Sequence, residues 1–233
     1  MKSLLLATLT VFGACHASPT LIAAESEIDF GAAGPATEVV RPGAVVWMDL
    51  LTGDVARAAS FYGKVFGWSF RFSPDGRYAY GTLNGVPVAS IAAYENEMEK
   101  ADGLWIPSIS VADVDKAMTA VKTYGGSLVG PPGNLQGRGR YQLVEDPTGA
   151  AVMLLRAEGG DPARSESPNQ WLWTELWTDG TGKAAGFYKK VVGYGTVDLK
   201  DTEGQTITVM GRDQQPHASM IKTPLPDMGG LDF

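Results

Sequence analysis

The chain has 233 residues, of which 44% are hydrophobic and 19% are charged, as in an ordinary globular protein of one large domain or two small ones. Its formal net charge of −7 argues against nucleic acid as a partner, because phosphate binding needs clustered Lys and Arg side chains. An acidic surface suits a cationic ligand, although such a charge more often only keeps a protein soluble.

The amino terminus predicts a signal peptide over residues 1–17. Lys2 supplies a positive charge, and residues 4–12 form an apolar run that is too short to span a bilayer. The sequence allows two alternative cleavage sites. One lies before Cys15, which would then carry a lipid, and the other lies at the end of residues 1–17. Cys15 is the only cysteine and lies where a lipobox needs one, which favours lipidation and leaves no internal disulfide. The chain is therefore expected to be exported, as a periplasmic or membrane-anchored lipoprotein or otherwise as a secreted protein.

A first folded module is predicted over residues 43–96, after a flexible tether at 18–42 that is rich in Ala, Glu, Ser, Gly and Pro. Its helix shows an apolar stripe at helical spacing, and its strands are separated by turn signals such as Asn84-Gly85. The predicted order is βαβββ, with a strand at 44–51, a helix at 54–66 and strands at 69–72, 77–83 and 86–94.

The same order recurs over residues 102–157. Asp113 is a plausible N-cap for the helix, which is expected to run through Tyr124, and a hairpin surrounds Asp146-Pro147-Thr148-Gly149. A short strand at 127–129 is followed by a Gly-rich stretch, 130–139, that predicts a surface loop at the mouth of the module.

A third copy is predicted over residues 170–226, after a linker at 158–169. Residues 227–233 are expected to begin a fourth module, which would leave the third without a partner. The repeat is visible in the letters, and such self-similarity is stronger evidence than a single motif. An offset of 126 residues places three pairs on each other: Phe61 and Phe187, Trp47 and Trp173, and Asp49 and Glu175.

Three features together resemble the vicinal-oxygen-chelate superfamily of glyoxalases, bleomycin-resistance proteins and extradiol dioxygenases. They are the βαβββ repeat, the Phe61-Tyr62 helix that ends in Phe66-Gly67-Trp68, and the hairpin Glu145-Asp146-Pro147-Thr148-Gly149. The resemblance covers residues 43–226 and is closest to multi-module bacterial members. It implies an α+β fold in which modules pair into half-barrels, with residues 43–157 forming one complete cup around a ligand.

Metal-dependent members of this superfamily bind a metal ion through the first and last strands of each module. The equivalent positions here hold Trp47, Ile106, Met153, and Ala89 or Ser90, which are poor ligands for a divalent ion. The composition agrees, because the chain has only two histidines. His16 lies in the predicted signal peptide, and His217 stands alone in the third module. We therefore expect no metal ion and no cofactor.

Strand alternation instead predicts aromatic and acidic side chains in the cup. Trp47 and Asp49 share one face of their strand, and Trp173 and Glu175 share one face of theirs. Such a wall suits a small apolar or cationic ligand. The alternative is that the Trp side chains pack a core and the carboxylates form paired buried sites. The candidate ligand-binding residues are Trp47, Asp49, Trp105, Arg140, Tyr141, Glu145, Trp173 and Glu175.

Three hypotheses for the function follow. The favoured one is a metal-free small-molecule-binding module, which rests on the missing metal ligands, the aromatic face and the acidic charge; the sequence also shows no nucleophile with its base and orienting group. The second is a metal-dependent lyase, isomerase or dioxygenase that uses unusual ligands such as Asp49 and Glu145. The third is an interaction protein attached to the cell envelope that binds no ligand. A homodimer through the third module is also expected, because an unpartnered sheet exposes an edge and an apolar face.

Overall fold

A computed structural model describes residues 31–94, 103–163 and 168–223. The predicted signal peptide, Cys15 and the start of a fourth module lie outside these ranges. No helix in the described ranges is long and apolar enough to cross a membrane. The elements are β1 (Val45–Thr52), α1 (Val55–Phe66), β2 (Ser69–Phe72), β3 (Tyr78–Leu83), β4 (Val86–Ala93), β5 (Leu104–Ser110), α2 (Val114–Thr123), β6 (Ser127–Leu135), β7 (Gly139–Glu145), β8 (Ala151–Ala157), β9 (Glu175–Trp177), α3 (Thr181–Val191), β10 (Gly195–Lys200), β11 (Thr206–Arg212) and β12 (Gln215–Ile221).

The first two modules form a single eight-stranded sheet in the order β2-β3-β4-β1-β5-β8-β7-β6. Within each module the first and last strands are parallel neighbours, and the modules join where β1 runs antiparallel to β5. At this junction Trp47 lies opposite Ser108 and Asp49 lies opposite Ile106. The predicted α+β class and the βαβββ order are confirmed.

Helix α1 covers one face of the sheet of the first module and leaves the opposite face without a helix. It begins after Asp54, whose carboxylate accepts a hydrogen bond from the amide of Arg57 at 2.9 Å, and it ends at Gly67, which has a φ of 73°. Leu50 and Ile91 pack beneath this helix side of the sheet. Because side chains alternate along a strand, Trp47 and Asp49 point to the opposite, concave face.

The Gly-rich stretch that the sequence predicts as a loop is largely a bent strand. β6 continues to Leu135 and pairs with β7, with an irregular register between Val129 and Gly133. The chain then turns and passes through Gly139, where φ is 123° and a Cβ atom would lie 2.2 Å from a carbonyl oxygen of β8. This close approach requires glycine and places Arg138 inside the protein, where its side chain is 1% exposed.

The third module forms its own four-stranded sheet, in the order β10-β11-β12-β9, and packs its helix side onto the second module. One apolar core contains Val121 and Leu154 of the second module together with Phe187 and Met220 of the third. The ring of Phe187 lies against Gly126, where a Cβ atom would come within 2.6 Å of it. The apolar helix side of this module is thus covered, whereas its other sheet face carries exposed side chains.

Residues 31–42, which the sequence places in a flexible tether, lie against the first two modules. The Tyr80 hydroxyl donates to the carbonyl oxygen of Ala32 at 2.6 Å. Further along, the buried carboxylate of Asp161 accepts from the backbone amide of Arg41 at 2.5 Å and from the Ser110 hydroxyl at 2.6 Å. Charged and backbone groups of this segment therefore have fixed partners in the folded domain.

Candidate functional site

A buried polar cluster lies on the concave face of the first module. Residues Trp47 and Asp49 are 3% and 7% exposed, and Ser90 of β4 stands beside Asp49 in the parallel register. The Trp47 indole N–H donates to the Ser90 hydroxyl oxygen at 3.0 Å and to Oδ1 of Asp49 at 3.3 Å. The Ser90 hydroxyl in turn donates to the same carboxylate oxygen. Trp47, Asp49 and Ser90 are called the first-module triad below.

The guanidinium group of Arg138 occupies this triad. Its Nη1 lies 2.9 Å from Oδ1 of Asp49, and its Nη2 donates to the Tyr78 hydroxyl at 2.7 Å. The guanidinium carbon also lies 4.3 Å from the centre of a Trp47 ring, a distance that allows cation–π attraction. Arg138 comes from the turn between β6 and β7, so the second module supplies the cation and the first module supplies the anion.

Burial and charge reinforce this arrangement. Burial acts to lower the pKa of the Arg138 guanidinium, but its interactions with Tyr78 and Asp49 outweigh this effect, and the net pKa lies above the usual value. Burial also raises the pKa of the Tyr78 hydroxyl to about 12. At neutral pH Arg138 is therefore charged and Tyr78 is neutral.

The amino-terminal segment closes the cluster from above. Tyr80 stacks on Trp47 with ring centres 5.8 Å apart, and the Arg138 Nε donates to the carbonyl oxygen of Gly31 at 3.4 Å. A Cβ atom on Gly31 would lie 2.3 Å from the Tyr80 ring. The interpretation of Asp49 as a paired buried carboxylate therefore agrees with its surroundings, and the triad itself is not an open pocket.

The concave face offers poor ligands for a metal ion. Trp47, Ser90, Ile106 and Met153 stand at the four positions where the resemblance implies ligands, and their side chains are an indole, a hydroxyl, an alkyl group and a thioether. A buried guanidinium cation lies among them and would repel a second cation. Within the described ranges, no three His, Cys, Asp or Glu side chains form a group that could hold a metal ion. The residues present do not fit the metal centre of the metal-dependent members.

The third module contains a second triad, formed by Trp173, Glu175 and Ser219. The Trp173 indole N–H donates to the Ser219 hydroxyl oxygen at 2.8 Å, and the Ser219 hydroxyl donates to Oε2 of Glu175 at 2.8 Å. The Trp177 indole N–H donates to Oε1 of Glu175 at 2.7 Å. Glu175 and Trp173 are both exposed, in contrast to their first-module equivalents.

The other four candidate residues do not join either triad. Trp105 lies on the helix side of the sheet, where its indole N–H donates to the Tyr62 hydroxyl at 2.9 Å. Arg140 forms an exposed ion pair with Asp115 of α2 at 2.6 Å. The remaining two are Tyr141, which packs beside a small apolar cluster of β1 and β8, and Glu145, which accepts a hydrogen bond from the Ser127 hydroxyl at 3.1 Å.

Two cavities lie between the first two modules and the third module. One of about 380 Å³ is lined by residues that include Ala33, Arg41, Trp47, Trp171, Trp173 and His217. The other, of about 350 Å³, is lined by residues that include Trp105, Trp171, Trp173, Glu175, Tyr194 and Ser219. Trp171 and Trp173 border both cavities, and Trp47, Trp105 and Tyr194 each border one of them. Such a size and an aromatic lining at a domain interface are typical of small-molecule sites.

Sequence reasoning missed Arg138, the residue on which the first triad depends. It lies among glycines in a stretch that predicts a surface loop, and that composition hides a buried cation. One signal was available: an apolar strand that carries Asp49 inward needs a compensating positive charge from elsewhere in the chain. Three arginines lie within or near the Gly-rich stretch and β8, and the sequence does not distinguish between them.

Comparison with known proteins agrees with this architecture. Residues 44–154 match the family model described as the glyoxalase/bleomycin resistance protein/dioxygenase superfamily. CFP32 of Mycobacterium tuberculosis, whose name assigns it only provisionally as a glyoxylase, is 33% identical over 198 residues, which cover 82% of this chain and 76% of CFP32. The anthracycline biosynthesis protein DnrV of Streptomyces peucetius is 31% identical over 173 residues, which cover 67% of this chain and 63% of DnrV.

Solved structures share the fold at low sequence identity. The Mn(II)-bound glyoxalase of Novosphingobium aromaticivorans superposes with a TM-score of 0.59 at 14% identity, over 80% of this chain and 64% of that chain. The halotolerant catechol dioxygenase BphC gives a TM-score of 0.54 at 14% identity, over 79% and 65%. The chain thus spans slightly less than two thirds of each of these solved chains. From the family model, the relatives and the paired βαβββ modules together, the chain belongs to the glyoxalase/bleomycin resistance/dioxygenase superfamily, the vicinal-oxygen-chelate superfamily.

Proposed function

We propose that this protein binds a small, largely apolar molecule without a metal ion, in the cavity of about 380 Å³ between the first cup and the third module. The observation that carries the proposal is the Arg138 guanidinium, which fills the concave centre where metal-dependent relatives would chelate their substrate. Ligand binding is therefore displaced from the centre of the cup to its rim.

The lining of this cavity supports an apolar, planar ligand. Trp171 and Trp173 offer aromatic surface, and the buried Trp47 borders the cavity. Trp171 is held in place because its indole N–H donates to the carbonyl oxygen of Val88 at 2.9 Å. Arg41 and His217 are among the few polar side chains at the border. An apolar wall that includes indole rings and a few polar groups favours stacking and fixes the orientation of a ligand.

The names of the relatives support the same class of ligand. Two Streptomyces relatives carry the name of anthracycline biosynthesis proteins, and anthracyclines are planar polycyclic aromatic compounds. CFP32 and the Novosphingobium protein are named for glyoxalase chemistry instead. We favour the first class for this chain, because its concave face lacks side chains that suit a metal ion whereas its rim is rich in indole rings.

Titration with 2-naphthol, a planar aromatic probe, tests the proposal by calorimetry. We expect saturable binding that a chelator does not weaken and that Thr174→Trp reduces at least about tenfold, because Thr174 borders both cavities and an indole ring there would fill them. Thr202→Trp makes the same change at an exposed turn and should leave binding unchanged. Equal binding by the Thr174→Trp variant, or binding that is lost on chelation, would contradict the proposal.

We also propose that the chain is exported and carries a lipid on Cys15. The proposal is supported by the charged start, the apolar run and the position of the only cysteine. Expression of the full chain in a bacterial host should give a protein that partitions into the detergent phase of a Triton X-114 extract. Cys15→Ser should move it to the aqueous phase or leave it uncleaved, and a wild-type chain found only in the aqueous phase would refute lipidation.

A further inference from the structure

The third module repeats the triad that binds a guanidinium group in the first module, and no Lys or Arg side chain of the described ranges pairs with the repeat. Trp47 and Trp173 differ by 126 positions, as do Asp49 and Glu175, and Ser90 and Ser219 differ by 129. In both modules the carboxylate residue lies directly beside the serine in a parallel strand pair. The indole N–H donates to the serine and the serine donates to the carboxylate in each case.

The first module shows what such a triad binds. The Arg138 guanidinium pairs with the carboxylate and lies over the indole ring. A planar cation satisfies both groups at once, because a carboxylate attracts its charge and an aromatic face attracts it as well. In the part of the chain that the structure describes, Glu175 forms an ion pair with no Lys or Arg side chain; its carboxylate accepts only from Trp177 and Ser219.

We propose that the Trp173–Glu175–Ser219 triad is a binding site for a guanidinium group carried by a small organic cation. The site is open, because the Trp173 side chain is 38% exposed and Glu175 is exposed as well. Trp177 adds a second indole beside the carboxylate, at the position that Leu51 holds in the first module. The longer Glu side chain replaces Asp49 and extends the carboxylate from the sheet.

The rest of this sheet face indicates that the cation carries an apolar group. Val209 pairs with Ser219 in the register and therefore shares its face, and Val197 pairs with Val209. Val197 and Leu199 are 61% and 51% exposed. A ligand with a guanidinium head and an aromatic or aliphatic body would cover both the triad and this apolar strip.

Titration with phenylguanidinium tests this proposal, with neutral phenylurea as the matched probe. The readout is the ¹H–¹⁵N signals of the Trp173 and Trp177 indole groups, which adjoin the carboxylate. We expect both signals to shift saturably with phenylguanidinium, and phenylurea to bind at least about tenfold more weakly because it lacks the charge. Equal binding of the two probes would overturn the proposal.

Variants distinguish binding at this triad from binding in the cavity of about 380 Å³. Glu175→Gln removes the charge and should weaken phenylguanidinium at least about tenfold, whereas Glu203→Gln, in the exposed turn between β10 and β11, should not. Binding of 2-naphthol should survive Glu175→Gln, so the failure of one proposal leaves the other standing. Unchanged phenylguanidinium binding by Glu175→Gln would refute the site. Dimerisation of the wild-type chain that Glu175→Gln abolishes would also refute it, because a second copy would then occupy this face.

Discussion

Replacing Arg138 with methionine is expected to lower the free energy of unfolding by about 3–5 kcal/mol, a large part of the stability of a domain of this size. The side chain is 1% exposed and forms the ion pair with Asp49, so its loss leaves a buried carboxylate without a counter-charge. Methionine keeps most of the volume and removes only the charge and the hydrogen bonds. Urea denaturation measures the effect.

Arg140→Met is the matched control for this variant. Arg140 lies two residues further along and pairs with Asp115, but the side chains of this pair are 36% and 64% exposed, so its loss should change stability little. The double variant Asp49→Asn with Arg138→Met should recover part of the loss, since neither unpaired charge remains. If Arg138→Met lowers the free energy of unfolding no more than Arg140→Met does, the ion pair of Arg138 with Asp49 does not stabilise the first two modules.

Replacing Phe187 with alanine is expected to cost about 3–5 kcal/mol, because its ring is 1% exposed in the core that the second and third modules share. The repeat offers an exact counterpart in Phe61, which occupies the same helical position in the first module but is 56% exposed. Phe61→Ala should therefore have a small effect. Thermal and urea denaturation of the two variants measure the difference.

The variant also tests how the third module is attached. If the shared core exists, Phe187→Ala should destabilise the second module as well as the third, so that the amides of β8 exchange faster with solvent. Similar losses from the two Phe variants, or faster exchange confined to the third module, would contradict the back-to-back packing of the modules. In that case the third module would be an independent unit.

Most of the fold could be predicted from the sequence, because local patterns determine it. Helical spacing and turn signals located the helices and most strands of the first two modules, and the pairs Trp47/Trp173 and Phe61/Phe187 revealed the third copy. Alternation in a strand placed Trp47 and Asp49 on one face correctly, since side-chain direction along a strand has a period of two residues. These inferences need no knowledge of distant contacts.

The features that the sequence did not predict depend on contacts between distant segments. The buried charge of Arg138 is compensated by the carboxylate of Asp49, which lies 89 positions away in the chain. Trp105 faces the helix side because β5 pairs with β1 in a particular register. The partner of α3 is not specified by its own apolar stripe, which would fit several neighbours equally well. Local sequence patterns predict the secondary structure and which face of a strand or helix a side chain occupies. The residues that it contacts there depend on the whole fold.

The metal content of the purified full chain tests the central claim most directly. The chain is dialysed against Mn²⁺, Fe²⁺ and Zn²⁺ in turn and then against metal-free buffer, and the bound metal is measured by elemental analysis. We predict that none of the three ions remains bound in stoichiometric amount, because the concave face of the first cup holds a buried guanidinium and no suitable set of ligands. One ion retained per chain, and lost on Asp49→Ala, would contradict the account.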